Sequence, residues 1–403
     1  MNRTYIKHEF LITSRSKRNL PFVLFIGVLL LSYCFIILPN KETKETFSEE
    51  EMSNYLADLD VEQKLREAKG TTGVVFHTGV PVYGNNDFYM RLYGAMLQAH
   101  EDGNFTRFLH LRAFSLDGNP SDYMQDTHLF KQSPFPGKDR MHLYYQTTMR
   151  YDDYLSNDYP ITFGLMYEKT GLQALQKFLQ ENGIYIMLFC VIFFSSDILT
   201  RDRKYRTVLI GLPLSWYRQL NLKSFAAFMY STLILLAILL IGVICMTLQY
   251  GFGYFDLHVP IMTAQQRFTL EEYDVISIGN FLAKTLIVVP LLSLLFIRLN
   301  VILSLLFKNE WIVLIVSSLI LFLERFYFSR TTRELFGIDI SYFPQTYFDI
   351  GNVLTGEKNF LVNIESITYT KGIVILLIAF VLIEILVFFM SKIVSKRQFY
   401  QLG

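Results

Sequence analysis

The stretch RDRKYRTVLIGLPLSWYRQLNLKS (201–224) lies between two long apolar runs and is too basic to cross a bilayer itself. It carries Arg201, Arg203, Lys204, Arg206, Arg218 and Lys223, and in its middle the tight turn Leu212-Pro213-Leu214-Ser215. A basic segment between two apolar runs makes those runs the spans, and its charges set which side of the membrane it occupies.

The whole composition agrees. Of 403 residues, 52% are hydrophobic, with 36 Phe and 25 Tyr, more than a soluble domain of this length carries. Six segments reach the length that crosses a hydrocarbon core: 20–38, 183–199, 225–248, 278–306, 311–328 and 372–390. The first is long for a signal-peptide core, and Leu38, Pro39 and Asn40 offer no small-residue cleavage site, so it is read as a retained span.

Basic residues then orient the chain. Arg3, Lys7, Arg15, Lys17 and Arg18 precede the first span. The basic stretch separates the second from the third, Arg298 and Lys308 lie near the junction of the fourth and fifth, and Lys392, Lys396 and Arg397 follow the sixth. Six spans with both termini cytoplasmic satisfy this alternation. Segments 39–182, 249–277 and 329–371 therefore face outward. Cys34, Cys190 and Cys245 all fall inside apolar spans, so no disulfide framework is implied.

The outer segment 39–182 is long enough to fold as a domain. Ser48-Glu49-Glu50-Glu51 has capping-box spacing, and Met52, Tyr55, Leu56, Leu59 and Leu65 recur on one helical face as far as Gly70. Val74-Val75-Phe76 reads as a short strand, 87–99 as a second helix, 119–140 as loop, and 171–181 as a last helix running into the second span. His77, His100, His110, His128 and His142 form no HxxxH, HxH or HExxH arrangement, so they carry no metal reading. Asp152 and Asp153 read as solvated charge in a polar turn. Neither a GxSxG elbow nor a GxxxxGK[ST] phosphate loop occurs, so the chain has no visible machinery for hydrolysis or nucleotide binding.

The order of residues around the basic stretch carries a resemblance. Asp197 closes the second span, Thr207, Leu212, Pro213 and Ser215 follow at Thr-x-x-x-x-Leu-Pro-x-hydroxyl spacing, and Lys223 precedes the third span. This resembles the permeases of ABC exporters of the ABC-2 type. The family's Glu-x-Gly ahead of the threonine is replaced here by Lys204-Tyr205-Arg206. The N-terminal Ile6-Lys7-His8-Glu9-Phe10-Leu11 with Arg15-Ser16-Lys17-Arg18 is similar to the family's amphipathic interface helix. Leu303-Ser304-Leu305-Leu306-Phe307-Lys308-Asn309-Glu310 resembles its turn between the fourth and fifth spans. Tyr342-Phe343-Pro344-Gln345-Thr346-Tyr347-Phe348 resembles the region of its short re-entrant helices.

The resemblance implies an all-α polytopic membrane protein of six transmembrane helices with a mixed, mostly helical extracellular domain. Residues 1–38 would be the interface helix and first span, 39–182 the extracellular domain, and 183–403 spans two to six, with a cytoplasmic coupling helix at 201–222. It implies a multi-pass protein of the bacterial plasma membrane that exports a hydrophobic or peptide-like substrate. The ATPase-coupling residues would be Thr207, Val208, Leu209, Leu212, Pro213 and Ser215, docking into a groove on a separate ABC ATPase subunit. That partner would bind ATP and Mg and hydrolyse the ATP, leaving this chain without cofactor, metal or catalytic residue of its own. A second permease copy, identical or related, and membrane lipid would complete the partners, with no nucleic acid among them. Val208, Leu209 and Leu212 could alternatively rest on the membrane surface. Immunity to, or sensing of, a peptide antibiotic is the alternative function, and an anchor without transport is a third.

Charges inside spans are costly and face a bundle interior or water. Lys284 and Arg298 can snorkel to opposite surfaces, and Glu324 beside Arg325 can anchor an outer end. Glu384, among Ile383, Ile385 and Leu386, has no such exit, and Arg298 is its candidate ion-pair partner.

Overall fold

The computed structural model describes residues 2–41, 48–74, 79–118, 133–157, 159–205 and 213–401. Helix α1 covers Asn2–Ser14. Helix α2, Asn19–Ser32, continues through a π-helical turn, Tyr33–Ile37, into Leu38–Asn40.

Helix α3, Glu49–Lys69, follows the capping signal: the Ser48 hydroxyl accepts the Glu51 N–H at 3.2 Å, and three glutamates occupy the electropositive first turn. It stops at Gly70, which takes the left-handed conformation (φ 61°) that a side chain would strain. Helix α4, Val82–Glu101, starts before the expected Asp87. Helix α5, Phe105–Gly118, is additional to the sequence reading. Helix α6, Pro136–Ser156, takes over the end of the expected loop, with proline at the helix start, where its missing N–H costs nothing. Asp152 and Asp153 therefore belong to a helix and not to a turn. Asp153 is buried and accepts from Asn157 Nδ2 at 2.9 Å. Of the expected strand, Val74 makes one isolated bridge to Pro81, and Val75 and Phe76 lie outside the described residues.

One compact unit comprises Leu38–Thr170 and Gln249–Gly253. Its core is Leu92, Tyr93, Met96 and Ala99 of α4 with Phe108 of α5 and Met166 and Tyr167, and Met52 and Leu56 of α3 pack against it. The i, i+3, i+4 recurrence of apolar residues turns one face of each helix to this centre.

The other unit comprises Met1–Ile37, Gly171–Leu248 and Tyr254–Gly403. It contains α7 (Gly171–Gln180), α8 (Gly183–Ser195), α9 (Trp216–Tyr250), α10 (Ile278–Phe307), α11 (Glu310–Tyr327) and α12 (Tyr369–Ile393). Strands β1, His258–Met262, and β2, Tyr273–Ser277, pair antiparallel ahead of α10. Short 3₁₀ turns, Ile340–Tyr342 and Pro344–Tyr347, and the small helices Ile350–Leu354 and Glu357–Val362 precede α12. α8 and α10 are the buried centre, contributing Leu188, Val191, Ile192, Val288, Leu292, Phe296 and Val301 to a single core.

By length and composition, five helices among the described residues can cross a membrane: Asn19–Asn40, Gly183–Arg203, Trp216–Tyr250, Ile278–Phe307 and Tyr369–Ile393. The chain is thus a helical protein with several membrane-crossing segments. The expected span at 311–328 does form a helix, α11, but is not one of the five, because Glu310, Glu324 and Arg325 interrupt its apolar run. The turn that delivers it is well specified. Lys308 caps α10 in the left-handed region (φ 53°), and Asn309 Oδ1 accepts the N–H groups of Trp311 and Ile312 at 2.9 and 3.4 Å.

Candidate functional site

Of the basic stretch, the structure describes a 3₁₀ segment, Thr200–Tyr205, then residues 213–215 and the start of α9 at Trp216. Thr207, Val208, Leu209 and Leu212 lie outside the described residues. Pro213 and Ser215 are exposed, and Leu214 between them is buried.

The arms of the stretch meet in a buried ionic cluster. Arg201 donates from Nη1 to Thr13 Oγ1 and from Nη2 to Glu9 Oε2, both at 2.9 Å. Lys223 Nζ lies 2.7 Å from Glu9 Oε1 and 2.5 Å from Asp202 Oδ2. Lys223 is 0% exposed and Glu9 2%. Two cations and two carboxylates balance, as they must where each unpaired buried ion would cost several kcal/mol. The local sequence builds the seat: Tyr5, Glu9 and Thr13, four apart, share one face of α1. Thr13 gives its own hydroxyl proton to the Glu9 carbonyl at 2.9 Å, which leaves its oxygen to accept from Arg201. Burial works against the Glu9 carboxylate, but Lys223 and Arg201 outweigh it and hold its carboxyl below the usual range. Burial first, then the charges of Glu9 and Asp202, push the Tyr5 phenol well above its ordinary value.

Arg201, Arg203 and Lys223 of the basic stretch are therefore spent inside the protein, whereas Arg218 is exposed. Arg201 is in the cluster, and Arg203 Nη1 donates to the Lys308 carbonyl at 3.2 Å. Arg18, expected to meet headgroups, donates at 2.5 Å to both Phe193 O and Ser196 Oγ and lies 3.6 Å from Glu310.

Arg298 and Glu384 come together. The guanidinium approaches Glu384 Oε1 at 2.5 Å and Oε2 at 2.6 Å, and also donates to Ser224 Oγ at 3.0 Å and Asn221 Oδ1 at 2.8 Å. This fork joins α10, α12 and α9. Arg298 is buried and does not snorkel to a surface. Glu324 is no surface anchor either: at 1% exposure it takes Lys358 Nζ at 2.6 Å and the Tyr185 hydroxyl at 2.9 Å, with Asp349 3.6 Å from the same ammonium.

Sequence reading also passed over Asn300. Its amide donates to Ile192 O at 3.1 Å and Ser195 Oγ at 2.7 Å and accepts from Ser317, tying α10 to α8 and α11. One asparagine among Leu299, Val301 and Ile302 was the available signal.

The histidines read as non-metal sites divide plainly. His100 bridges Glu49 at 2.7 Å and the Tyr167 hydroxyl at 3.1 Å, His142 contacts Gln146 at 3.0 Å, and His110 is exposed. His77 and His128 lie outside the described residues. No group of three or more His, Cys, Asp or Glu side chains that could hold a metal ion occurs among the described residues. Cys34, Cys190 and Cys245 are in no disulfide among the described residues.

Comparison with protein families, with curated proteins and with solved structures finds no match to this chain.

Proposed function

We propose that this chain is the membrane-spanning permease subunit of an ABC exporter of the ABC-2 type, which moves a hydrophobic or peptide-like substrate across a bacterial plasma membrane. ATP hydrolysis belongs to a separate ATPase subunit, and 201–222 is the segment that receives its motion. The working unit holds two permease copies and two ATPase subunits, since each chain supplies one such segment.

The observation that carries this reading is the cluster of Glu9, Arg201, Asp202 and Lys223. Arg201 and Asp202 stand just before 206–212 and Lys223 lies eleven residues after it, in α9, and the same buried carboxylate, Glu9, holds both sides. A segment that transmits force needs ends that do not yield separately. Here a push on 206–212 reaches α8, α9 and α1 together. Val208, Leu209 and Leu212 give such a push its purchase, because burying each large apolar side chain against a partner is worth about 1.5–3 kcal/mol.

The test is isolation of the native complex in mild detergent. A nucleotide-hydrolysing subunit should accompany the chain, and Leu209→Asp with Leu212→Asp should remove it without lowering the membrane level. A chain that purifies without an ATPase yet retains transport would dismiss the proposal.

A further inference from the structure

Beyond α12 the chain turns at Val394 and restarts as a short helix, Lys396–Gln401. The restart is encoded by a reciprocal capping box. Ser395 Oγ accepts the Gln398 N–H at 3.3 Å, and Gln398 Oε1 accepts the Ser395 N–H at 2.9 Å. Two of the residues so presented, Phe399 and Tyr400, are each 0% exposed, although five of their neighbours in 395–401 are polar or charged. They bury themselves on Trp216, the first residue of α9. Phe399 lies 5.8 Å and Tyr400 5.9 Å from its ring centre, and the two rings lie 5.2 Å from each other.

The contact is apolar in its energetics. Among the described residues neither the Trp216 indole N–H nor the Tyr400 hydroxyl has a hydrogen-bond partner, so the rings are held by packing and not by their polar ends. Trp216 is where the basic stretch re-enters regular helix, two turns before Lys223 delivers its ammonium to the ionic cluster. Glu9 fixes the stretch from one side, and in the first turn of α9 Tyr217 packs edge-on against Phe388 of α12, 5.6 Å between ring centres, beside the Trp216 contact.

We propose that Phe399 and Tyr400 are positioning residues for the 201–222 segment: they wedge Trp216 and so hold the downstream arm of that segment at the height at which Lys223 reaches Glu9 and Asp202. The inference rests on the proposed role of 201–222 for its meaning in transport, but the wedge itself is a property of this chain alone.

The experiment therefore begins with the full chain in nanodiscs without any partner, using amide hydrogen exchange. In Phe399→Ala/Tyr400→Ala, the amides of 216–223 should exchange at least about tenfold faster, while those of 285–303 in α10 stay at the parent rate. Tyr400→Phe should behave as the parent, because its hydroxyl has no hydrogen-bond partner among the described residues, and Phe399→Leu should recover most of the protection. Parent-like exchange at 216–223 in the double alanine variant would overturn the proposal. So would acceleration of equal size in α10, since the rings would then support the bundle at large. The second arm reads ATPase co-purification and transport. Transport lost with the ATPase still bound is the expected result, and full transport despite a loosened 216–223 would also overturn it. Absence of any ATPase from both parent and variant would sink the functional reading and leave the exchange result to stand by itself.

Discussion

Lys223 sets its ammonium 2.7 Å from Glu9 Oε1 across 214 residues of chain, and neither side chain meets solvent. Glu9→Ala leaves two buried cations facing one carboxylate, Asp202. The loss should be about 3–5 kcal/mol in the docking of α1, the usual cost of removing one partner from a buried pair. Trypsin cleavage at Lys7 and Arg15, followed in membranes, reads it out. Parent-like resistance in the variant would show that the cluster does not hold α1.

The same carboxylate sets a pH dependence. Because the folded-state value of Glu9 is depressed, its stabilisation is complete above the ordinary carboxylate range and is lost as pH falls through the depressed value. Docking of α1 should therefore be flat from neutral pH down through mild acid and weaken only below the ordinary range. Exchange protection of α1 measured across an acid series checks this, and a midpoint near neutrality would contradict it.

Glu384→Ala should lower the unfolding midpoint by an amount worth about 3 kcal/mol, because Arg298 keeps only the neutral oxygens of Ser224 and Asn221. Arg298→Met with Glu384→Met should come within about 1 kcal/mol of the parent, since the desolvation cost of both charges vanishes with them. Thermal unfolding in detergent ranks the variants. A double variant weaker than the single one would reverse the argument.

On the reading of 201–222 as a coupling segment, Leu209→Asp with Leu212→Asp should abolish ATPase binding, for it places two carboxylates in an apolar interface. Lys204→Gln should do little. Arg201→Gln should also impair transport, but through the cluster, and so with the α1 loosening seen for Glu9→Ala. Binding, transport and trypsin sensitivity, measured at equal membrane levels, separate the three. Normal binding by the leucine variant would mean that the segment docks through its charges or lies on lipid.

The apolar runs and the capping signals around Ser48 and Asn309 were legible because span length and helix starts are written locally. Partnerships were not. Glu9 sits in a segment whose lysines and arginines suggest a lipid surface, and only the i, i+4 stripe of Tyr5, Glu9 and Thr13 hints that one face turns inward. Glu324 looked like an anchor because Arg325 is its neighbour, whereas its cation, Lys358, comes from a separate helix. α5 and α6 lack a clear signal because their apolar residues are diluted by Arg, His and Tyr, so their periodicity is weak until α5 packs on α4 and α6 on α5. Arg298 and Glu384 could be paired in advance because a span offers an ionised side chain few alternatives.

The two-residue turn at Lys308 and Asn309 also bears on how the protein is made. On the reading of α11 as a sixth span, Glu310, Glu324 and Arg325 suit it poorly to leave a translocon alone, but it follows α10 so tightly that the pair enters as a single hairpin, with the more apolar thirty-residue α10 carrying the weaker limb. When Glu324 emerges from the ribosome, Lys358 has not yet been synthesised. On that reading the hairpin waits for a later segment to neutralise it, and biogenesis acquires an order in which the short helices bring Lys358 to Glu324 before α12 closes the bundle.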